Sequence, residues 1–146
     1  MSGVTALIVL QHALFAANPP SYQEALQDAQ KRQQPLLVLI GAQWCPGCQT
    51  MKQQVMPSLA QRGALKPVTF TTVDYDADTA TAQQLMRVGS IPQLIVYSPL
   101  PDGKWHREQL IGESTEAEVQ SLISRALKAQ QTSPTQSSSA AGGGGD

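Results

Sequence analysis

Along this chain the spacing of apolar residues switches between a helical period and short unbroken or alternating runs, and each switch marks an element. Val4 to Ala17 is an apolar stretch interrupted by Gln11 and His12, followed by Pro19-Pro20. Ser21 and Glu24 fit the S-x-x-E capping box, and Tyr22, Ala25, Leu26 and Ala29 follow at helical spacing. This predicts an amphipathic helix ending near Gln33-Gln34, before Pro35. Leu36 to Ile40 is continuously apolar, as a central strand covered on both faces would be. Met51, Val55 and Leu59 recur every four residues and predict a second helix, which Pro57 should kink or interrupt. Val68 to Asp74 reads as a strand with Val68, Phe70 and Thr72 on one face. Asp78 can cap a third helix running to Val88, anchored by Ala82 and Leu85.

Gly89-Ser90-Ile91-Pro92 then breaks the chain, and Leu94 to Tyr97 is another buried strand. Pro99 to Gly103 is turn-rich, with Asp102-Gly103 its tightest signal, and Trp105 to Ile111 supplies an antiparallel partner with Trp105 and Leu110 as its apolar residues. Thr115 and Glu118 repeat the capping box before Val119, Leu122, Ile123, Ala126 and Leu127, the buried stripe of a last helix. The order is helix, strand, helix, strand, helix, strand, strand, helix. A βαβ unit followed by a hairpin and a covering helix gives an α/β fold, a three-layer α/β/α sandwich on a central mixed sheet. The domain is expected over residues 18–129. Residues 1–17 read as a leader-like segment or as a first strand or helix of the domain, the leader being favoured, and residues 130–146, rich in Ser, Thr, Gln, Ala and Gly, form a low-complexity tail expected to be disordered.

Composition narrows the function classes. With 41% hydrophobic and 14% charged residues the chain can bury a core. A net charge of −1 and the lack of any Lys/Arg cluster give no support for a nucleic-acid partner. The Val4–Ala17 stretch is too short for a transmembrane helix, so no stable membrane insertion is expected. It has the length of a secretory apolar region, yet no Lys or Arg precedes it, and Leu14 and Phe15 stand where a cleavage site needs small residues.

The two cysteines, Cys45 and Cys48, stand two residues apart after a buried strand and at the start of a helical pattern. There the unpaired N–H groups of a helix N-terminus favour a thiolate at Cys45, and one-turn spacing keeps Cys48 in reach to resolve a mixed disulfide. As a structural staple such a short loop gains little. Zinc needs two more ligands, and the two histidines, His12 and His106, lie far apart without paired spacing. No metal or other cofactor is expected.

The chain resembles the thioredoxin superfamily over roughly Ser21 to Ala129. Two motifs carry the resemblance: Ala42-Gln43-Trp44-Cys45-Pro46-Gly47-Cys48 after a buried strand, and Ser90-Ile91-Pro92 before another. The resemblance implies the thioredoxin fold, redox activity at Cys45 and Cys48, and a cis-proline at Pro92 beside them. Pro35-Leu36-Leu37-Val38 before the motif, with Met51 and Val55 after it, is similar to bacterial extracytoplasmic reductive domains. A periplasmic or other extracytoplasmic location in a bacterium follows, or a cytoplasmic one if residues 1–17 are not a leader. Thioredoxins place Gly-Pro between the cysteines, a buried Asp in the preceding strand and a Trp shortly after it. This chain has Pro46-Gly47, Leu39 and Gly41. The missing Asp implies slower exchange than in thioredoxins.

By analogy Cys45, exposed at the helix start, is the attacking thiolate, and the more buried Cys48 resolves. Pro46 suits the first helical turn, and Gly47 lets a substrate backbone approach. Trp44 either flanks the disulfide as an apolar platform or packs in the core. Ile91 and Pro92 present backbone groups for an extended substrate segment. The expected function is thiol-disulfide exchange with protein substrates by a monomer served by a separate redox partner. The alternative is a peptide-binding module that uses the same groove without redox turnover. A glutathione-using relative is disfavoured, because no basic residue flanks the motif to hold glutathione's carboxylates.

Overall fold

The sheet is built around two adjacent strands that are apolar on both sides. In the computed structural model, which describes residues 19–132, the elements are α1 (Tyr22–Arg32), β1 (Leu36–Gly41), α2 (Pro46–Thr50), a π-helical turn (Met51–Val55), α3 (Met56–Gln61), β2 (Thr69–Asp74), α4 (Thr79–Leu85), β3 (Gln93–Pro99), β4 (Trp105–Ile111) and α5 (Glu116–Gln131). Their sheet order is β2-β1-β3-β4. The β1–β2 pair is parallel, with Leu36 beside Thr69. β3 is antiparallel to both β1 and β4, with Leu39 beside Leu94 and Leu94 beside Leu110.

Alternation along β1 divides the core in two. Leu37 and Leu39, with Leu94 and Val96, pack under Met51, Leu59, Val119 and Leu122. Leu36, Val38 and Ile40, with Ile95, pack under Ala25 and Ala29 of α1 and Ala82 and Leu85 of α4. Each fully buried aliphatic side chain contributes about 1.5–3 kcal/mol relative to exposure. The result is the three-layer mixed α/β sandwich.

Both capping boxes form. The Glu24 carboxylate accepts from the Ser21 N–H at 2.8 Å, and that of Glu118 accepts from the Thr115 N–H at 2.7 Å. Among the described residues no helix is long and apolar enough to cross a membrane.

Several boundaries differ from the sequence expectation. α4 stops at Leu85 rather than Val88, because the Arg107 guanidinium takes the Leu85 carbonyl at 3.0 Å. β2 begins at Thr69, since the Val68 N–H closes a turn onto the Leu65 carbonyl, although the Val68 side chain still enters the core. β3 is longer than Leu94–Tyr97 at both ends. Trp105 and Leu110 lie five residues apart on β4 and so face opposite sides. Leu110 packs in the α5-side core, and Trp105 is exposed. The helix after the cysteines is interrupted by the π turn just ahead of Pro57, which sits in the first turn of α3. α5 runs through Gln130 and Gln131, whose expected place was the tail, and the Gln130 side chain donates to the Gln33 carbonyl at 2.8 Å. The leader-like segment 1–17 and residues 133–146 lie outside the described residues.

Candidate functional site

β1 ends at Gly41, and three residues later the chain turns into α2 with Cys45 as its N-cap. The Cys45 Sγ accepts the Cys48 N–H at 3.2 Å, so the sulfur sits where the helix offers its unpaired donors. Pro46 occupies the first turn, where it lacks nothing the helix needs. One turn brings the two Cα atoms to 5.2 Å, and the sulfurs are bonded as a disulfide. Gly41 makes this packing possible. A Cβ there would stand 2.9 Å from the Cys48 Cβ, closer than real side-chain carbons come.

The Ile91–Pro92 peptide bond is cis, and the Ile91 carbonyl oxygen lies 3.9 Å from the Cys45 Sγ. The loop before it is held by Gln93, which is fully buried and donates its amide to the carbonyls of Val88 and Ser90, both at 2.7 Å. After it, the Gly112 N–H donates to the Pro92 carbonyl at 2.8 Å. A small cavity of about 30 Å³ lies behind the disulfide, lined by Leu39, Gly41, Cys48, Lys52, Thr72 and Asp74. That is room for one or two waters against Cys48.

The structure brings Cys45, Pro46, Gly47, Cys48, Ile91 and Pro92 together, and three details correct the sequence reading. Cys45 is 6% exposed against 3% for Cys48, so it is nearly as covered as its partner, the two forming with Ala42 a small cluster against which Ile91 and Tyr75 pack. Gly47 does not open a path for a substrate backbone on its Cβ side. That space is filled by the Glu113 carboxylate, 3.3 Å from where a Cβ would be, and by Pro92. Trp44 is 67% exposed, which removes the core-packing alternative, and its indole N–H donates to the Asp76 carboxylate at 2.8 Å. Asp76 stands in a turn whose N–H groups bond to Asp74. His106 contacts Glu108 on β4, apart from the cysteines, and His12 lies outside the described residues.

Gln93, Asp76 and Glu113 were not singled out by the sequence reading. A lone amide directly after Ile91-Pro92, at the head of a buried strand, was a usable signal for Gln93. Asp76 and Glu113 join the site only through tertiary contacts and left no local signal.

A mixed sheet flanked by helices, with a cysteine pair on the first turn after its central strand, is the thioredoxin fold. A family profile described as thioredoxin-like matches residues 17–99, and the chain belongs to that family. Among solved structures it is similar to a thioredoxin from Thermus thermophilus, with TM-score 0.63 and 24% identity over 75% of this chain and 85% of that one. It is also similar to Trxlp from Edwardsiella tarda, with TM-score 0.56 and 29% identity over 71% and 95% of the two chains. A thioredoxin from Trichomonas vaginalis aligns with TM-score 0.52 and 31% identity over 70% and 88%. No curated protein matches this chain significantly. The fold and the close cysteine pair fit thiol-disulfide redox chemistry.

Proposed function

We propose that this protein is a thiol-disulfide oxidoreductase that reduces disulfides in protein substrates. The reading rests on one observation above the others: Cys45 caps α2, with the Cys48 N–H on its sulfur and the Ile91 carbonyl at its side. In the reduced protein, a thiolate at Cys45 is stabilised by that N–H and the helix end. It attacks one sulfur of a substrate disulfide, forming a mixed disulfide and releasing one substrate thiolate. Cys48 loses its proton and attacks the Cys45 sulfur. The Cys45–Cys48 disulfide closes, the second substrate thiol leaves, and two electrons have passed to the substrate. A dithiol donor then regenerates the pair. Ile91 offers the backbone edge on which an extended substrate segment would align, while the Pro92 carbonyl is already taken by the Gly112 N–H.

The reducing direction is favoured by what surrounds the motif. No cation stands between the cysteines, and the charged group against Gly47 is the Glu113 carboxylate, which opposes a strongly stabilised thiolate. The leader-like segment favours an extracytoplasmic bacterial setting, and the protein is expected to act as a monomer.

Insulin reduction with a dithiol donor tests this reading. The wild-type protein should accelerate it, Cys45→Ser should abolish the acceleration, and Cys48→Ser should trap a mixed disulfide on Cys45. Equal rates for the wild type and Cys45→Ser would instead favour a peptide-binding module that uses the same groove.

A further inference from the structure

We infer that Glu113 is a specificity-determining residue that selects disulfides whose cysteines are flanked by Lys or Arg. The inference rests on the disulfide-exchange reading above and names its substrate class. Glu113 sits between β4 and α5, and its backbone is fixed on both sides. The Gly112 N–H is bonded to the Pro92 carbonyl at 2.8 Å, and the Ser114 N–H to the Met51 Sδ at 3.3 Å. Its carboxylate lies over Gly47, which stands between the two cysteines in the sequence, on the side of Gly47 where the Pro92 ring also stands. A substrate segment that reaches Cys45 along Ile91-Pro92 must pass it.

The other carboxylates near this end are already engaged. Asp76 holds the Trp44 indole, Glu116 pairs with Arg62, and Glu118 caps α5. Glu113 has no ion-pair partner among the described residues, and its side chain is exposed. An unpaired carboxylate on a fixed stretch of backbone at the point of approach attracts a cation on the incoming chain and repels an anion. The cations of this region stand elsewhere: Lys52 lines the cavity behind Cys48, and Arg87 lies by Tyr75 and Gly89. At an exposed site one such pairing changes an encounter by about three- to fivefold at low salt, and screening removes most of it at high salt.

The test compares two disulfide-linked peptides that are identical except for Lys or Glu on each side of the cysteines. Both are reduced by the full-length protein at low and high salt. The wild type should favour the Lys peptide about three- to fivefold in kcat/KM at low salt, chiefly through KM. Glu113→Gln should lose the preference, Glu113→Lys should reverse it, and Asp102→Asn, on the β3–β4 turn, should keep it. A preference that survives Glu113→Gln, or that ignores salt, overturns the inference while leaving the redox reading intact. Failure of the wild type to reduce either peptide overturns both.

Discussion

Leu39 stands directly behind the redox pair, buried and lining the same cavity as Cys48, Lys52 and Asp74. At this position Leu39 offers Cys48 no acid-base group, and the titratable side chains along the cavity are those of Lys52 and Asp74. A well-placed general base contributes roughly 10²–10⁴ in rate. Leu39→Asp should accelerate disulfide reduction, measured by stopped flow, while lowering unfolding stability by more than ~2 kcal/mol, because burial penalises the carboxylate and raises its pKa. Destabilisation with no gain in rate would mean that proton transfer from Cys48 does not limit exchange. At this scale the legible residues were those that share a short motif: Cys45, Cys48, Ile91 and Pro92. The coverage of Cys45 was not legible, because Tyr75 and Ile91 pack against its cluster with Ala42 and Cys48 from other parts of the chain. Nor was the filling of the space beside Gly47, since Glu113 is 66 positions further along.

Among the elements, the helix starts were the most readable, because a capping box is a local contract between two side chains and two N–H groups. The Glu118 carboxylate titrates below the usual carboxylate range, first because of the Thr115 N–H it accepts and then because of the Thr115 hydroxyl. A depressed folded pKa stabilises the fold above the ordinary carboxylate pKa, and that contribution is lost as the pH falls through the folded value. Thr115→Ala should cost about 1 kcal/mol in urea unfolding near neutral pH and less in acid, where the box is already weakened. An effect that does not shrink in acid would show that the hydroxyl's bond to the Glu118 carboxylate adds nothing, the Thr115 N–H bond being kept in both proteins.

The helix after the cysteines was harder to read. Met51, Val55 and Leu59 suggested one regular stripe, yet only Met51 and Leu59 are fully buried. A four-residue step overshoots an α-helical turn by roughly 40°, so two steps would carry Leu59 well off the face of Met51. The π turn absorbs one residue, with the Met56 N–H bonded to the Met51 carbonyl, and returns Leu59 to the core. Pro57, which has no N–H to give, begins the next helix instead of breaking a continuous one.

For the molecule as a whole, element order and chain-reversal rules were enough to read the layers and the mixed sheet. The edges of the sandwich were less accessible, because strand and helix ends are set by side-chain bonds from distant residues, as Arg107 does at Leu85. The sheet directions place four connections at one end: β1 to α2, β2 to α4, α4 to β3, and β4 to α5. These carry Cys45, Asp76, Pro92 and Glu113.

The β3–β4 turn lies at the opposite end, and its Gly103 takes a positive φ of 81° with open space around it. To a protein engineer that turn is a handle. A flexible passenger sequence or a new pair of termini placed between Asp102 and Gly103 has no path to the disulfide, because the full length of the sheet stands between them. Such an insertion should leave insulin reduction within about twofold of the parent, in keeping with the tolerance of exposed loop tips. The same insertion between Gly112 and Glu113 should abolish it. Equal damage from both would mean that the far end of the sandwich is mechanically coupled to the site, and the turn could not serve as a point of attachment.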